Sequence, residues 1–256
     1  MKNAVKEKLQ SGARAIGTFY TMGSTAVVEC LGIAGFDYLI VDTEHSPMET
    51  QDINSAIIAA ERRGMSPFVR VRAVERASVL KALDCGAAGL IVPCVNSVEE
   101  VEKLIGFAKY APIGSRGFGI VRASGFGQAD YAKDTKEYFA LSNRETLLLP
   151  QCETLGCLEQ IDKIVALEGV DGIFVGPYDL SVALGVPGQM DDARLNEAIQ
   201  LVQRVCAENG KLSFIFAGNA ATAKKYFALG YSSVACNIDA ALLTQVAKSL
   251  LDTIVE

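Results

Sequence analysis

The charged residues of this chain fall at places where chemistry would need them. Val41 to Pro47, reading V-D-T-E-H-S-P, joins an apolar run to a turn that carries two carboxylates and the only histidine. Further along stand Arg70, then Gln151 and Glu153, then Asp179 just after Gly176-Pro177. Imidazole is the side chain whose ordinary titration spans neutral pH, so His45 is the candidate general base or proton shuttle, with a neighbouring carboxylate to orient it. Arg70 offers a permanently charged fork for an oxygen of an oxo acid. Glu153 and Asp179 suit a hard divalent cation such as Mg²⁺ or Mn²⁺, which takes oxygen donors and keeps several waters. A lone histidine excludes a multi-histidine zinc site.

These groups act together only if the elements before them point to one place. Short apolar runs at 15–20, 38–42, 67–71, 89–92, 146–152, 172–175, 212–216 and 233–236 read as strands buried on both faces. Between them lie amphipathic stretches with helical spacing, at 24–34, 48–63, 75–84, 98–109, 129–143, 158–167, 192–209, 220–229 and 240–254, with a short turn at 177–184. A first short helix precedes the first strand. The alternation predicts an α/β fold, a (β/α)8 TIM barrel of parallel strands occupying 1–256 as one domain. An open doubly wound sheet fits less well, because no G-x-G-x-x-G turn follows the first strand. In a barrel the C-terminal strand ends carry the site, and Asp42, Glu44, His45, Arg70, Gln151, Glu153 and Asp179 all stand at or just past such ends. The glycine-rich stretch 110–128 is long enough to be expected as a functional loop.

Composition narrows the partners. A chain of 256 residues that is 50% hydrophobic can fill one barrel core, and its net charge of −6 argues against nucleic acid or an anionic membrane. Seven cysteines, an odd number with no C-x-x-C pair, read as reduced core residues of a cytoplasmic protein. No stretch approaches the ~20 apolar residues of a membrane span, and residues 1–10 lack the apolar region of a signal peptide. None of the strand runs at 38–41, 69–71, 89–92, 147–150, 173–175 and 212–216 holds a lysine, which argues against Schiff-base chemistry. Residues 217–219 and 236–237 make a poor glycine-rich phosphate site, which argues against a phosphorylated ligand or flavin.

Several motifs, in order and spacing, resemble the HpcH/HpaI aldolases. They are V-D-T-E-H-S-P at 41–47, V-R-V at 69–71, V-P-x-V at 92–95, P-x-G-x-R-G at 112–117, Q-x-E at 151–153 and F-V-G-P-Y-D-L-S at 174–181, and the likeness runs over 12–254. The resemblance implies a class II, divalent-metal aldolase that reversibly cleaves a 4-hydroxy-2-oxo acid, such as 4-hydroxy-2-oxoheptanedioate or a 2-keto-3-deoxy sugar acid, to pyruvate and an aldehyde. It implies that Glu153 and Asp179 bind Mg²⁺, Mn²⁺ or Co²⁺, and that Arg70 holds the keto or enolate oxygen with Gln151 beside it. The backbone of Gly176, Pro177 and Tyr178 would hold the carboxylate. His45 would move the proton of the aldol hydroxyl, supported by Asp42. Asp84 matches an acidic residue contributed across a subunit contact. The implied assembly is a homohexamer, a trimer of dimers with the C-terminal helix exchanged between protomers. Phe214, Phe216, Asn237 and the loop 117–126 depart from the usual pattern and are expected at the substrate rim, with Phe216 as a substrate contact. Two other readings stay open: a CoA-thioester lyase of the citrate lyase β subunit or malyl-CoA lyase type, and a catalytically inactive barrel serving in binding or assembly.

Overall fold

The strands form because short runs of Val, Ile, Leu and aromatics can be buried on both faces only inside a parallel sheet covered by helices. In the computed structural model, which describes residues 2–255, the chain opens with α1 (Ala4–Gln10), β1 (Ala15–Tyr20), α2 (Thr25–Ala34) and β2 (Tyr38–Asp42). It continues through α3 (Thr50–Arg62), β3 (Ser66–Arg70), α4 (Arg76–Cys85), β4 (Gly89–Val92) and α5 (Val98–Ala108). After a long connection come α6 (Thr135–Glu145), β5 (Leu147–Cys152), α7 (Leu155–Glu159), α8 (Ile161–Ala166) and β6 (Gly172–Val175). The last units are α9 (Pro177–Ala183), α10 (Ala193–Glu208), β7 (Leu212–Ala217), α11 (Ala220–Ala228), β8 (Ser233–Ile238) and α12 (Asp239–Val255). The strands pair in parallel and in order, and β1 closes on β8 through Ala15 opposite Ser233, making an eight-stranded TIM barrel.

Two apolar bodies hold it. One fills the space between strands and helices, from Val28, Leu39 and Val41 round to Ile215 and Val234. The other fills the barrel itself in layers. Tyr38 stacks on Phe68 with centroids 4.9 Å apart, and Phe214 meets each at 6.0 Å. Toward the C-terminal mouth, Phe19 meets Phe174 at 6.0 Å and Phe216 at 5.7 Å. Val5 and Leu9 of α1 belong to the same body and plug the other end. Gly17 is required here, since a β-carbon on it would sit 2.2 Å from the Tyr38 ring.

Some expectations are corrected. The helix expected at 129–143 begins only at Thr135, because Asp134 accepts from Glu137 N at 2.9 Å and caps it there. The one expected at 158–167 is two short helices, the first begun by Thr154, whose Oγ1 accepts from Cys157 N. Among the described residues there are twelve α-helices, more than the eight a plain (β/α)8 barrel carries. The loop 117–126 does not lie at this chain's own substrate rim. It follows α5, so it lies at the N-terminal ends of the strands, where Arg122, Ala123, Gly125 and Phe126 line a cavity of about 590 Å³ with Ser66, Ala88 and Thr146. Phe214 is likewise fully buried in the barrel interior and not at the rim.

Candidate active site

The register of β2 and β3 sets Asp42 directly beside Arg70. Their side chains meet as a bidentate pair, Nε to Oδ1 at 2.9 Å and Nη2 to Oδ2 at 2.7 Å, and both residues are buried. Asp42 Oδ1 also accepts from the backbone N–H of Glu44 at 3.1 Å and of His45 at 3.4 Å, which shapes the turn after β2. Arg70 reaches a second carboxylate, Glu44 Oε2, through Nη1 at 3.2 Å, and its guanidinium lies 4.7 Å from the centre of the Phe19 ring. Burial works against the Arg70 charge. The hydrogen bonds and charge of Asp42, with Glu44 and Glu153 behind them, outweigh it and hold its pKa above the ordinary value.

His45 stands at the rim with its side chain 65% exposed, its Nε2 3.9 Å from Glu44 Oε2. The carboxylate nearest the imidazole is thus Glu44; Asp42 meets His45 only through the backbone and spends its side chain on Arg70. Just past β5, Glu153 accepts from Cys94 N at 2.6 Å through Oε1 and from Gln151 Nε2 through Oε2. Gln151 is buried and its Oε1 has no protein partner among the described residues. Gly176 gives both room: a β-carbon there would come within 3.0 Å of Glu153 Oε2 and 2.9 Å of Gln151 Nε2. Asp179 sits exposed in the first turn of α9, where its charge helps raise the pKa of Glu153.

A cavity of about 460 Å³ opens at this mouth, and Asp42, His45, Arg70, Gln151, Tyr178 and Asp179 share its lining with Phe19, Phe174 and Phe216. Gly176 and Pro177 also border it. The cavity at the opposite end is larger, but its arginines are already engaged, Arg116 with Asp84 at 2.9 Å and Arg122 with Glu61. Asp84 is accordingly not brought to the His45 mouth within the chain; it ends α4 on the far side.

The donor set fits a divalent cation. Burial raises the pKa of the carboxyls of Glu44 and Glu153 from the ordinary value even with Arg70 beside them, which marks negative charge short of water. One oxygen from each and the thiol of Cys94 lie within 4.8 Å of one another, while Asp179 falls outside that group. Cys94 departs from the expectation that all seven cysteines are core residues. Only Cys152, Cys157 and Cys206 are buried, and Cys94 is exposed two residues past the end of β4. Its position after a C-terminal strand end was the available signal. Burial, followed by the charges of Glu153 and Glu44, raises its thiol to about 11.

A parallel eight-stranded barrel with an arginine clamped between carboxylates and a cation-seeking cluster at its C-terminal mouth belongs to the metal-assisted lyases and hydrolases of that architecture. Comparison with known proteins narrows this. Residues 15–245 match the family described as HpcH/HpaI aldolase/citrate lyase. A hydroxypyruvate/pyruvate aldolase from Roseobacter denitrificans is 34% identical over 250 residues, 97% of this chain and 95% of that one. A 5-keto-4-deoxy-D-glucarate aldolase from Shigella dysenteriae is 34% identical, covering 98% of this chain and 96% of its own. The crystal structure of an HpcH/HpaI aldolase from Desulfitobacterium hafniense superimposes with a TM-score of 0.92 at 31% identity, covering 100% of this chain and 98% of that one. The chain belongs to the HpcH/HpaI aldolase/citrate lyase family and is a metal-dependent carbon–carbon lyase, a class II aldolase. None of its described helices is long and apolar enough to cross a membrane.

Proposed function

We propose that the enzyme reversibly cleaves a 4-hydroxy-2-oxo acid to pyruvate and an aldehyde in the cytoplasm. The observation that carries this reading is Arg70, fixed by two carboxylates with its charge beside Glu153. Of the five N–H bonds of its guanidinium, three are engaged by Asp42 and Glu44, which leaves two for a substrate oxygen. As the C3–C4 bond breaks, negative charge moves onto the 2-oxo oxygen, and a donor that is already oriented needs no rearrangement to receive it. His45 takes the proton of the C4 hydroxyl, directly or through water, with Glu44 stabilising the imidazolium it becomes. In the reverse direction the same imidazole returns the proton. Gln151 borders the oxo-acid end, and Gly176, Pro177 and Tyr178 border the place for the carboxylate. Glu153 and Asp179 would hold a divalent cation, Mg²⁺, Mn²⁺ or Co²⁺, which when bound would supply Lewis-acid polarisation of the oxo group. Phe216, half-buried against Phe19, lines the substrate wall. The names of the related aldolases, all for oxo or keto acids, support the same substrate class.

The reading includes a homohexamer with α12 exchanged between protomers. Its support is the stripe Leu243, Val246, Leu250, Leu251 and Ile254, apolar and exposed on one helix.

Deuterium uptake into the pyruvate methyl group, followed by NMR in D₂O, tests the half-reaction without knowledge of the aldehyde. Uptake that requires Mg²⁺, Mn²⁺ or Co²⁺ and disappears in Arg70→Ala is the expected result. Uptake that is unaffected by a chelator, or absent with every ion, overturns the proposal.

A further inference from the structure

The end of β8 departs from regular pairing. Gly17 stands opposite Ala235 and Phe19 opposite Ile238, so β8 holds one residue more than β1 over this interval, a bulge that includes Asn237 at a φ of 64°. Thr18 Oγ1 donates to the Asn237 carbonyl at 3.1 Å, and Asn237 Nδ2 donates to Gln245 Oε1 of α12 at 3.1 Å. Beyond the bulge, Ile238, Ala240 and Ala241 line the cavity at the mouth, as does Thr21, which follows β1. Asp239, among them, is 3% exposed. Its Oδ1 accepts from Thr21 N at 3.0 Å, from Thr21 Oγ1 at 2.8 Å and from Ala240 N at 2.9 Å, and its Oδ2 accepts from Met22 N at 3.0 Å. One buried carboxylate thus ties the turn after β1 to the first turn of α12, and the residues joined by the tie are cavity wall.

We infer that Asp239 is a positioning residue for the aldehyde half of the substrate, acting through the wall it pins and not through the pyruvate half. The inference rests on the aldolase reading above and extends it across the mouth. In a closed barrel of eight strands taken in order, β1 is four strands from β5 in either direction, so Thr21 and Glu153 leave opposite sides of the mouth. On the aldolase reading pyruvate is held on the side of β5 and β6, by the residues from Gln151 to Tyr178. His45 follows β2, which pairs with β1, and moves the proton of the C4 hydroxyl. The carbon chain beyond C4 therefore runs toward Thr21, Ile238, Ala240 and Ala241. Such a wall, fixed before the aldehyde arrives, spares the ordering that binding would otherwise cost. A shift of about 1 Å in a positioning element can slow a reaction by about 10²-fold, although the residue responsible never touches the reacting atoms.

Condensation of pyruvate with glycolaldehyde, propionaldehyde and glyoxylate in the presence of Mn²⁺, alongside deuterium uptake into pyruvate alone, separates the two halves of the site. Asp239→Asn turns an amide donor toward groups that need an acceptor. Its KM for the accepted aldehyde should rise roughly 10-fold, the scale of one charged hydrogen bond, with KM for pyruvate moving by less than about 2-fold. Thr21→Val keeps the backbone bonds to Asp239 and loses only the hydroxyl, so it should fold as the native protein does and show the same split. Thr21→Ser, which keeps the hydroxyl, should bring both KM values back. A role confined to stability predicts a lower melting temperature with both KM values raised by the same factor. That result, or native kinetics in both Asp239→Asn and Thr21→Val, overturns Asp239 as a positioning residue and leaves the aldolase reading intact. Native enzyme that neither takes deuterium into pyruvate nor condenses it with any of the three aldehydes overturns both.

Discussion

Arg70 is 8% exposed and Asp42 2% exposed, so each charge is tolerable only because of the other. Asp42→Ala leaves the guanidinium buried with Glu44 as its one remaining close partner, and breaking such a pair costs about 3–5 kcal/mol. It also frees the fork to rotate, so cleavage should slow by about 10²-fold, as on losing a preorganised donor. A urea unfolding midpoint unchanged in Asp42→Ala would contradict the clamp. Glu153 gives a prediction of opposite sign. Burial raises its pKa above the ordinary 4.5. Between that value and its own, the unfolded chain has shed a proton that the folded chain still holds, so the metal-free protein loses stability as pH rises through this window. Below the window the contribution is fully present. Metal-free Glu153→Gln should lack this loss and melt higher than the native protein at neutral pH, while added Mn²⁺ should raise the melting temperature of the native protein alone. Thermal unfolding in chelator across the pH range decides it, and a variant that melts lower at neutral pH would refute the assignment.

The strands, the barrel they close and the mouth they open on were legible in the sequence because burial on both faces demands unbroken apolar runs and because charge appears abruptly where those runs end. Tyr38–Asp42 shows both features within five residues. What was not legible depends on contacts distant in sequence. Phe214 and Phe216 lie two apart on β7 and so face the same way, into the barrel, yet one is sealed between Tyr38 and Phe68 and the other meets Phe19 at the cavity. Only the tilt of strands in a closed barrel assigns them to different layers. The end at which the glycine-rich loop lies did follow from topology, since a connection after a helix returns to the N-terminal side, but loop length pointed the other way. The layers make a paired prediction. Phe214→Ala should cost about 3–5 kcal/mol by opening a cavity in a packed interior. Phe216→Ala should cost clearly less and admit bulkier oxo acids or aldehydes, read as a changed ranking of kcat/KM across a substrate panel. Equal losses of stability would mean that the two rings share one environment.

Beyond the barrel, two features lie far from the mouth that holds His45. Residues 243–255 of α12 are exposed throughout their described length, with Leu250 and Leu251 62% exposed, a face that water disfavours. Asp84, paired with Arg116 at 2.9 Å, lies at the end of the molecule opposite His45. The symmetric assembly proposed above would give both a purpose, α12 by covering a neighbour and Asp84 by reaching the neighbour's mouth. If each site draws His45 from one protomer and Asp84 from another, then His45→Ala and Asp84→Ala proteins are each inactive, yet together they can rebuild native sites. Random mixing of the two, after dissociation and reassembly, should restore roughly a quarter of sites, because a competent site needs one specified parent on each side. Leu250→Lys with Leu251→Lys should shift the sedimentation coefficient to smaller species and abolish that recovery, while circular dichroism stays native because neither side chain is buried in the barrel. Mixtures that stay as inactive as their parents, although sedimentation shows mixed hexamers, would confine Asp84 to its pairing with Arg116 and return the whole reaction to the residues of one chain.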